Sequence, residues 1–88
     1  MRKEIKDSRN QRIGYYEERL GGNVDVFNKV GIKIGSVRKE GNSFAAYDSM
    51  LRKIAVFNTT RKTTETYPMN KKIADGNVLV EYILQMFG

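Results

Sequence analysis

Phe27-Asn28-Lys29-Val30-Gly31-Ile32-Lys33-Ile34-Gly35 reads as one β-hairpin. An aromatic residue ends a strand, Asn starts a turn, and Gly31 can take the positive-φ position near the end of a tight loop. On either side apolar and polar residues alternate, in Val24-Asp25-Val26 and in Ile32-Lys33-Ile34-Gly35-Ser36-Val37. A period of two marks strands with one buried face.

The same unit recurs along the chain. Ile13-Gly14, Ile34-Gly35, Ile54-Ala55 and Ile73-Ala74 are spaced by 21, 20 and 19 residues. Each Ile follows a basic residue, in turn Arg12, Lys33, Lys53 and Lys72. A turn-former precedes it, namely Asp7, Asn28, Asp48 or Pro68, itself preceded by Lys6, Phe27, Tyr47 or Tyr67. Self-similarity at a fixed period predicts a repeated supersecondary unit. The expected fold is therefore mostly β (α+β): an antiparallel meander of four hairpin repeats over 1–75, with seven or eight strands. Between hairpins, Gly21-Gly22-Asn23, Glu40-Gly41-Asn42 and the run Thr59 to Thr64 read as connectors. The small residue after each Ile predicts close approach of another backbone or ring there.

After Asp75-Gly76-Asn77 the pattern changes. Val78-Leu79-Val80-Glu81-Tyr82-Ile83-Leu84-Gln85-Met86-Phe87 places Leu79, Tyr82, Ile83, Met86 and Phe87 on one helical stripe, with Asn77 or Asp75 as N-cap. A short helix over 77–87 is expected, although the β-branched Val78, Val80 and Ile83 would also suit an extra strand. So apolar a segment must cover the open face of the sheet. Val80 and Leu84 exceed what one thin sheet would cover, which makes Val80, Leu84 and Phe87 candidates for self-association as a homodimer; burial wholly within one chain is the alternative.

The 88 residues are expected to form one domain, 1–88, since two cores of half that size would be too small to stand. The chain has no cysteine and no histidine. Thiolate metal sites, disulfides and the usual general base near neutral pH are thereby absent. Ser8, Ser36, Ser43 and Ser49 have no imidazole to activate them. Glu17 and Glu18, the only adjacent carboxylates, should point to opposite faces of a strand. Gly21-Gly22 lacks the Lys-Ser/Thr of a phosphate loop. These absences predict a non-enzymatic chain without metal or cofactor. The start, Met1 to Asp7, lacks the apolar core of a secretion signal, and the run from Val78 to Phe87 is shorter than the roughly 20 residues a spanning helix needs. A cytoplasmic protein with no membrane partner is the resulting expectation.

The net charge of +6 favours acidic partners. If every hairpin puts its basic residues on one side, Arg12, Lys33, Arg52, Lys53, Lys71 and Lys72 form a ridge that could follow a phosphate backbone. No recognised nucleic-acid motif accompanies it. The plainer reading of those residues is a solvated face, and that of Phe27, Tyr47 and Tyr67 is cross-strand packing. A small module with exposed edges and turn tips works more simply by occupying a protein partner's surface. The primary expectation is thus a binding module for a protein partner, with nucleic acid as the alternative and an enzyme of unrecognised type as a distant third.

The pattern aromatic–Asp/Asn–turn–basic–Ile–Gly resembles the hairpin repeats of small uncharacterised bacterial, phage or mobile-element proteins, whose units read Tyr-Asp-x-x-Gly-Arg-x-Ile-Gly. The resemblance covers nearly the whole chain, including Gly76-Asn77 and the apolar tail. Only the second copy has the turn glycine, and the third and fourth end in Ala55 and Ala74. The resemblance implies a hairpin fold and a bacterial or mobile-DNA origin; it carries no activity and no functional residue.

Overall fold

The computed structural model describes residues 2–88. Eight strands, β1 (Arg2–Lys6), β2 (Arg12–Glu18), β3 (Val24–Asn28), β4 (Lys33–Glu40), β5 (Ser43–Asp48), β6 (Lys53–Asn58), β7 (Thr63–Thr66) and β8 (Lys72–Asp75), lie in space in their chain order. Each pairs antiparallel with the next, and one helix, α1 (Leu79–Phe87), follows. The meander and its closing helix match the hairpin periodicity. One connector does not: Thr63 and Thr64 belong to β7, because β-branched residues pair readily opposite Asn58 and Phe57.

The recurring isoleucine has a specific geometric role. Gly14 pairs with Ile5 and Arg12 with Lys6, so Ile13 is left over as the extra residue of a bulge. Ile34, between Gly35 opposite Val26 and Lys33 opposite Phe27, occupies the same place in the second hairpin. Ile54 and Ile73 do so in the third and fourth. A bulge re-aims a side chain that strict alternation would send to the other face. Burial varies with position: Ile34 is buried, Ile54 and Ile73 are half-buried, and Ile13 near the sheet edge is 37% exposed.

The turns repeat as well. In the first three, one side-chain oxygen at the turn start (Asp7, Asn28 or Asp48) accepts two N–H groups, two and four residues on. The left-handed position three residues on is filled by Asn10 (φ 65°), Gly31 (φ 93°) and Leu51 (φ 64°). Leu51 therefore adopts, at a steric cost, the conformation its glycine counterpart takes freely. The fourth turn is one residue longer and begins at Thr66 rather than Pro68. Thr66 N–H donates to the Lys71 carbonyl, and Thr66 Oγ1 accepts the Lys71 N–H. Glu65, not Tyr67, then stands opposite Lys72.

Helix α1 lies across one face of the sheet. Val26, Ile34, Val37, Ala46, Ala55, Leu79, Ile83 and Leu84 form the buried core, flanked by Ile5, Tyr16, Val24, Phe44, Ile54, Phe57, Ile73, Val80 and Tyr82. Each large side chain sealed there contributes about 1.5–3 kcal/mol. Space for the helix comes from the small residues after the isoleucines. A Cβ on Gly35 would stand 2.9 Å from Ile83 Cγ2, and one on Gly14 would overlap Leu84. The buried stripe is Leu79, Ile83 and Leu84 with Val80 and Tyr82 half-buried, whereas Met86 is 55% exposed. This turns the helix from the expected stripe, because the glycine notch admits Leu84. Asn77 Oδ1 accepts the Leu79 N–H, and Thr64 Oγ1 accepts the Val78 N–H, which ties the helix start to β7.

Candidate docking surface

In the meander, the turns within the four hairpins all lie at one end of the sheet, and the connectors at the other. The predicted basic residues Arg12, Lys33, Lys53 and Lys72 open β2, β4, β6 and β8, so the fold gathers them at the turn end. Each already has a carboxylate. Arg12 Nη1 lies 3.1 Å from Glu4, Lys33 Nζ 3.2 Å from Asp25, Lys53 Nζ 2.9 Å from Glu40, and Lys72 Nζ 2.8 Å from Asp75. Arg52 pairs with Asp48 at 2.9 Å. Lys71 is exposed beside the fourth turn. The residues expected to form a cationic ridge thus form, for the most part, a row of ion pairs.

Apart from Arg52–Asp48, whose Asp48 stands opposite Gly35 on the helix side, these pairs belong to the sheet face away from the helix, where side chains alternate with those of the core. Tyr15 and Phe27 stack there with centroids 4.9 Å apart, and Arg2 caps the Tyr15 ring at 4.2 Å. Lys53 sits over the Tyr67 ring at 5.0 Å, and the Tyr47 hydroxyl donates to Glu40. Hydrogen bonds from Lys53 and then Tyr47 hold the Glu40 carboxyl below its ordinary range. The bond to Glu40 in turn raises Lys53 and is the main reason Tyr47 is raised. Burial pushes Asp25 up, but hydrogen bonds from Arg19 and Lys33 and both their charges outweigh it, and its carboxyl is held down. Glu65, 2% exposed, is held down by bonds donated by Thr63 and Asn70. Such shifts accompany ion pairing and need no catalytic role. No group of acidic, His or Cys side chains among the described residues could hold a metal ion.

The self-association candidates separate. Leu84 is buried against Gly14 within the chain and is not free for a second copy. Val80 is half-buried along a cleft with Tyr16, Val24 and Phe44. Phe87 is 41% exposed at the helix end. That end overhangs an open cleft of about 440 Å³ lined by Gln11, Arg12, Ile13 and Lys29, and so points to the turn end of the sheet.

The turn end holds what the sequence reading passed over. Ten large apolar side chains among the described residues are exposed, and nine stand here: Ile13, Val30, Ile32, Met50, Leu51, Tyr67, Met69, Met86 and Phe87. Leu20, at the connector end, is the tenth. Val30, Met50 and Met69 occupy the tips of successive turns at 71%, 74% and 71% exposure. Lys29 adjoins Val30 and Lys71 follows Met69, while Arg9 stands in the first turn; these three carry no ion pair among the described residues. The signal was present in the sequence: tight turns favour polar residues, and an aliphatic or thioether side chain at a tip has no local reason to be there.

No family model, no curated protein and no solved structure matches this chain.

Proposed function

We propose that the protein is a non-enzymatic binding module whose working surface is the turn end of the sheet, where apolar tips and unpaired cations meet an apolar, anionic partner surface. The observation that carries this reading is the segregation of nine of ten exposed large apolar side chains to that one end. Concentrated exposed apolar surface on a small domain marks an interaction site. Both sheet edges are poor alternatives. β1 reads Arg-Lys-Glu-Ile-Lys, and charge on an edge strand opposes further strand pairing; β8 has four residues. A phosphate-tracking ridge is less well supported, because Arg12, Lys33, Lys53 and Lys72 are already neutralised.

The absence of cysteine permits a clean test. Met50→Cys and Leu20→Cys, each carrying a photo-crosslinker, place a probe at opposite ends. Crosslinking in cells from position 50 but not from position 20, unchanged by nuclease, is expected. Equal crosslinking from both ends would refute the assignment.

A further inference from the structure

We infer that the surface met by the turn end is an anionic lipid bilayer, on which the protein rests peripherally with its tips in the headgroup layer; this deepens the binding-module reading and depends on it. Among the described residues, no helix is long and apolar enough to cross a membrane. Lying on a membrane is a different requirement from spanning it, namely apolar side chains at shallow depth with cations beside them.

The turns meet that requirement one by one. Val30, Met50 and Met69 each project from a separate tip, and Lys29 and Lys71 stand one or two residues away. The first turn adds Arg9 and no apolar tip. Of the acids at this end, Asp7 and Asp48 accept their own turn N–H groups and Asp48 also holds Arg52, while Glu81 of α1 is exposed beside the cleft with Arg12 and Lys29. Arg9, Lys29 and Lys71 outnumber Glu81, so the end presents an excess of positive charge.

A fluid anionic surface suits this pattern better than a rigid one. Successive strands of a sheet are rotated against each other, so four turn tips cannot lie on one straight line. A folded partner would have to complement four separate fingers at different angles, whereas lipid accommodates each tip independently. Two of the three tips are methionine, whose unbranched thioether adapts to irregular surroundings. A second copy docking through the same end would oppose cation to cation.

The test is co-sedimentation of the full chain with vesicles of phosphatidylcholine alone or mixed with phosphatidylglycerol. Binding to the mixed vesicles only, weakened by salt, is expected. Lys29→Gln and Lys71→Gln should each lower it about 5-fold, from about 1 kcal/mol per cation near an anionic surface. Met50→Ser with Met69→Ser should lower it further, while Leu20→Ser at the connector end should bind as wild type. All five sites are exposed, and unchanged thermal melts will show that the variants fold. Failure to bind mixed vesicles at low salt overturns the bilayer assignment. If position 50 still crosslinks to a protein, the turn-end reading stands without it; if position 50 crosslinks to nothing, both fall. Equal losses from Leu20→Ser and from the tip variants would also overturn the bilayer assignment.

Discussion

On the helix side of the sheet, Val26, Ala46, Ala55 and Ile83 are sealed from solvent. On the other side the same strands present Arg2, Glu17, Asp25, Arg38, Tyr47 and Lys53, tied by ion pairs and by cations over rings. Strand alternation supplies residues to both faces equally, so the difference lies in what covers them. One face has a helix, for which Gly14 and Gly35 clear the ground. The other has only its own long side chains, which screen small residues such as Ser36 and Ala45, both buried without a second layer. Stability should therefore come from the apolar face, while the polar face tunes it through pH and salt.

Removing core atoms should have the largest effect. Ile83 is fully buried between the sheet and its own helix, and Ile83→Ala leaves a cavity that the rigid sheet cannot fill. A loss of about 3 kcal/mol is expected, or a Tm lower by about 15 °C at the roughly 5 °C per kcal/mol of a domain this size. Next comes overfilling the notch. In Gly35→Val the first added carbon would lie 2.5 Å from the Tyr47 carbonyl oxygen and 2.9 Å from Ile83 Cγ2. About 2 kcal/mol should be lost, with α1 displaced and dye-accessible apolar surface exposed. If thermal melts show both variants near wild type, the helix-covered face is not the seat of stability.

Acid should act on the other face. The carboxyls of Asp25, Glu40 and Glu65 are all held below their ordinary range. A carboxyl whose pKa is lower folded than unfolded stabilises the fold above the unfolded value, about 4, and that contribution is lost as pH falls through the folded value. Tm should therefore be level from about pH 7 to pH 5 and decline below about pH 4. Asp25→Asn should flatten part of that decline. The same acid dependence in wild type and in the variant would show that the Arg19–Asp25–Lys33 cluster does not contribute.

The meander, the hairpin boundaries and the helix were legible because they rest on local periodicity and turn chemistry. The repeated Ile-Gly was legible as a repeat but not as a bulge. Its meaning depends on which residue of the neighbouring strand faces it, and spacing within one strand does not encode that. The helix stripe was misread by the same kind of gap: Leu84 is accommodated by Gly14, 70 positions earlier in the chain. The basic residues recur visibly in the sequence, yet their partners Glu4, Asp25 and Glu40 come from other strands, so neutralisation became visible only with the register. The apolar tips could have been read from the sequence, since Val30, Met50 and Met69 break the polar rule of tight turns.

Leu51, in the third turn at the margin of a cleft with Arg38, Glu40 and Tyr47, reports chiefly on local backbone cost. It holds φ 64° where the second hairpin has Gly31 at φ 93°. Leu51→Gly removes a penalty of about 1–2 kcal/mol and gives back part of it as extra freedom of the unfolded chain. A net gain of about 0.5–1 kcal/mol is expected, with Tm up by a few degrees and the acid and salt responses unchanged. A shift in those responses would mean that the turn and the polar face are coupled, and the two could not be treated apart.

The smallest effect should come from the ion pair at the centre of the polar face. Glu40 accepts from Lys53 at 2.9 Å and from the Tyr47 hydroxyl, but its side chain is 40% exposed and that of Lys53 26%. Exposed pairs contribute about 0–1 kcal/mol, and salt screens them. Glu40→Gln keeps an acceptor for Tyr47 and removes the charge, so about 0.5 kcal/mol should be lost at low salt and almost nothing at 1 M salt. The two melting curves should converge as salt is added, which a packing defect would not produce. A loss of 2 kcal/mol that salt leaves unchanged would place a structural dependence on the open face equal to that of the helix side, and the division of labour between the two faces would fail.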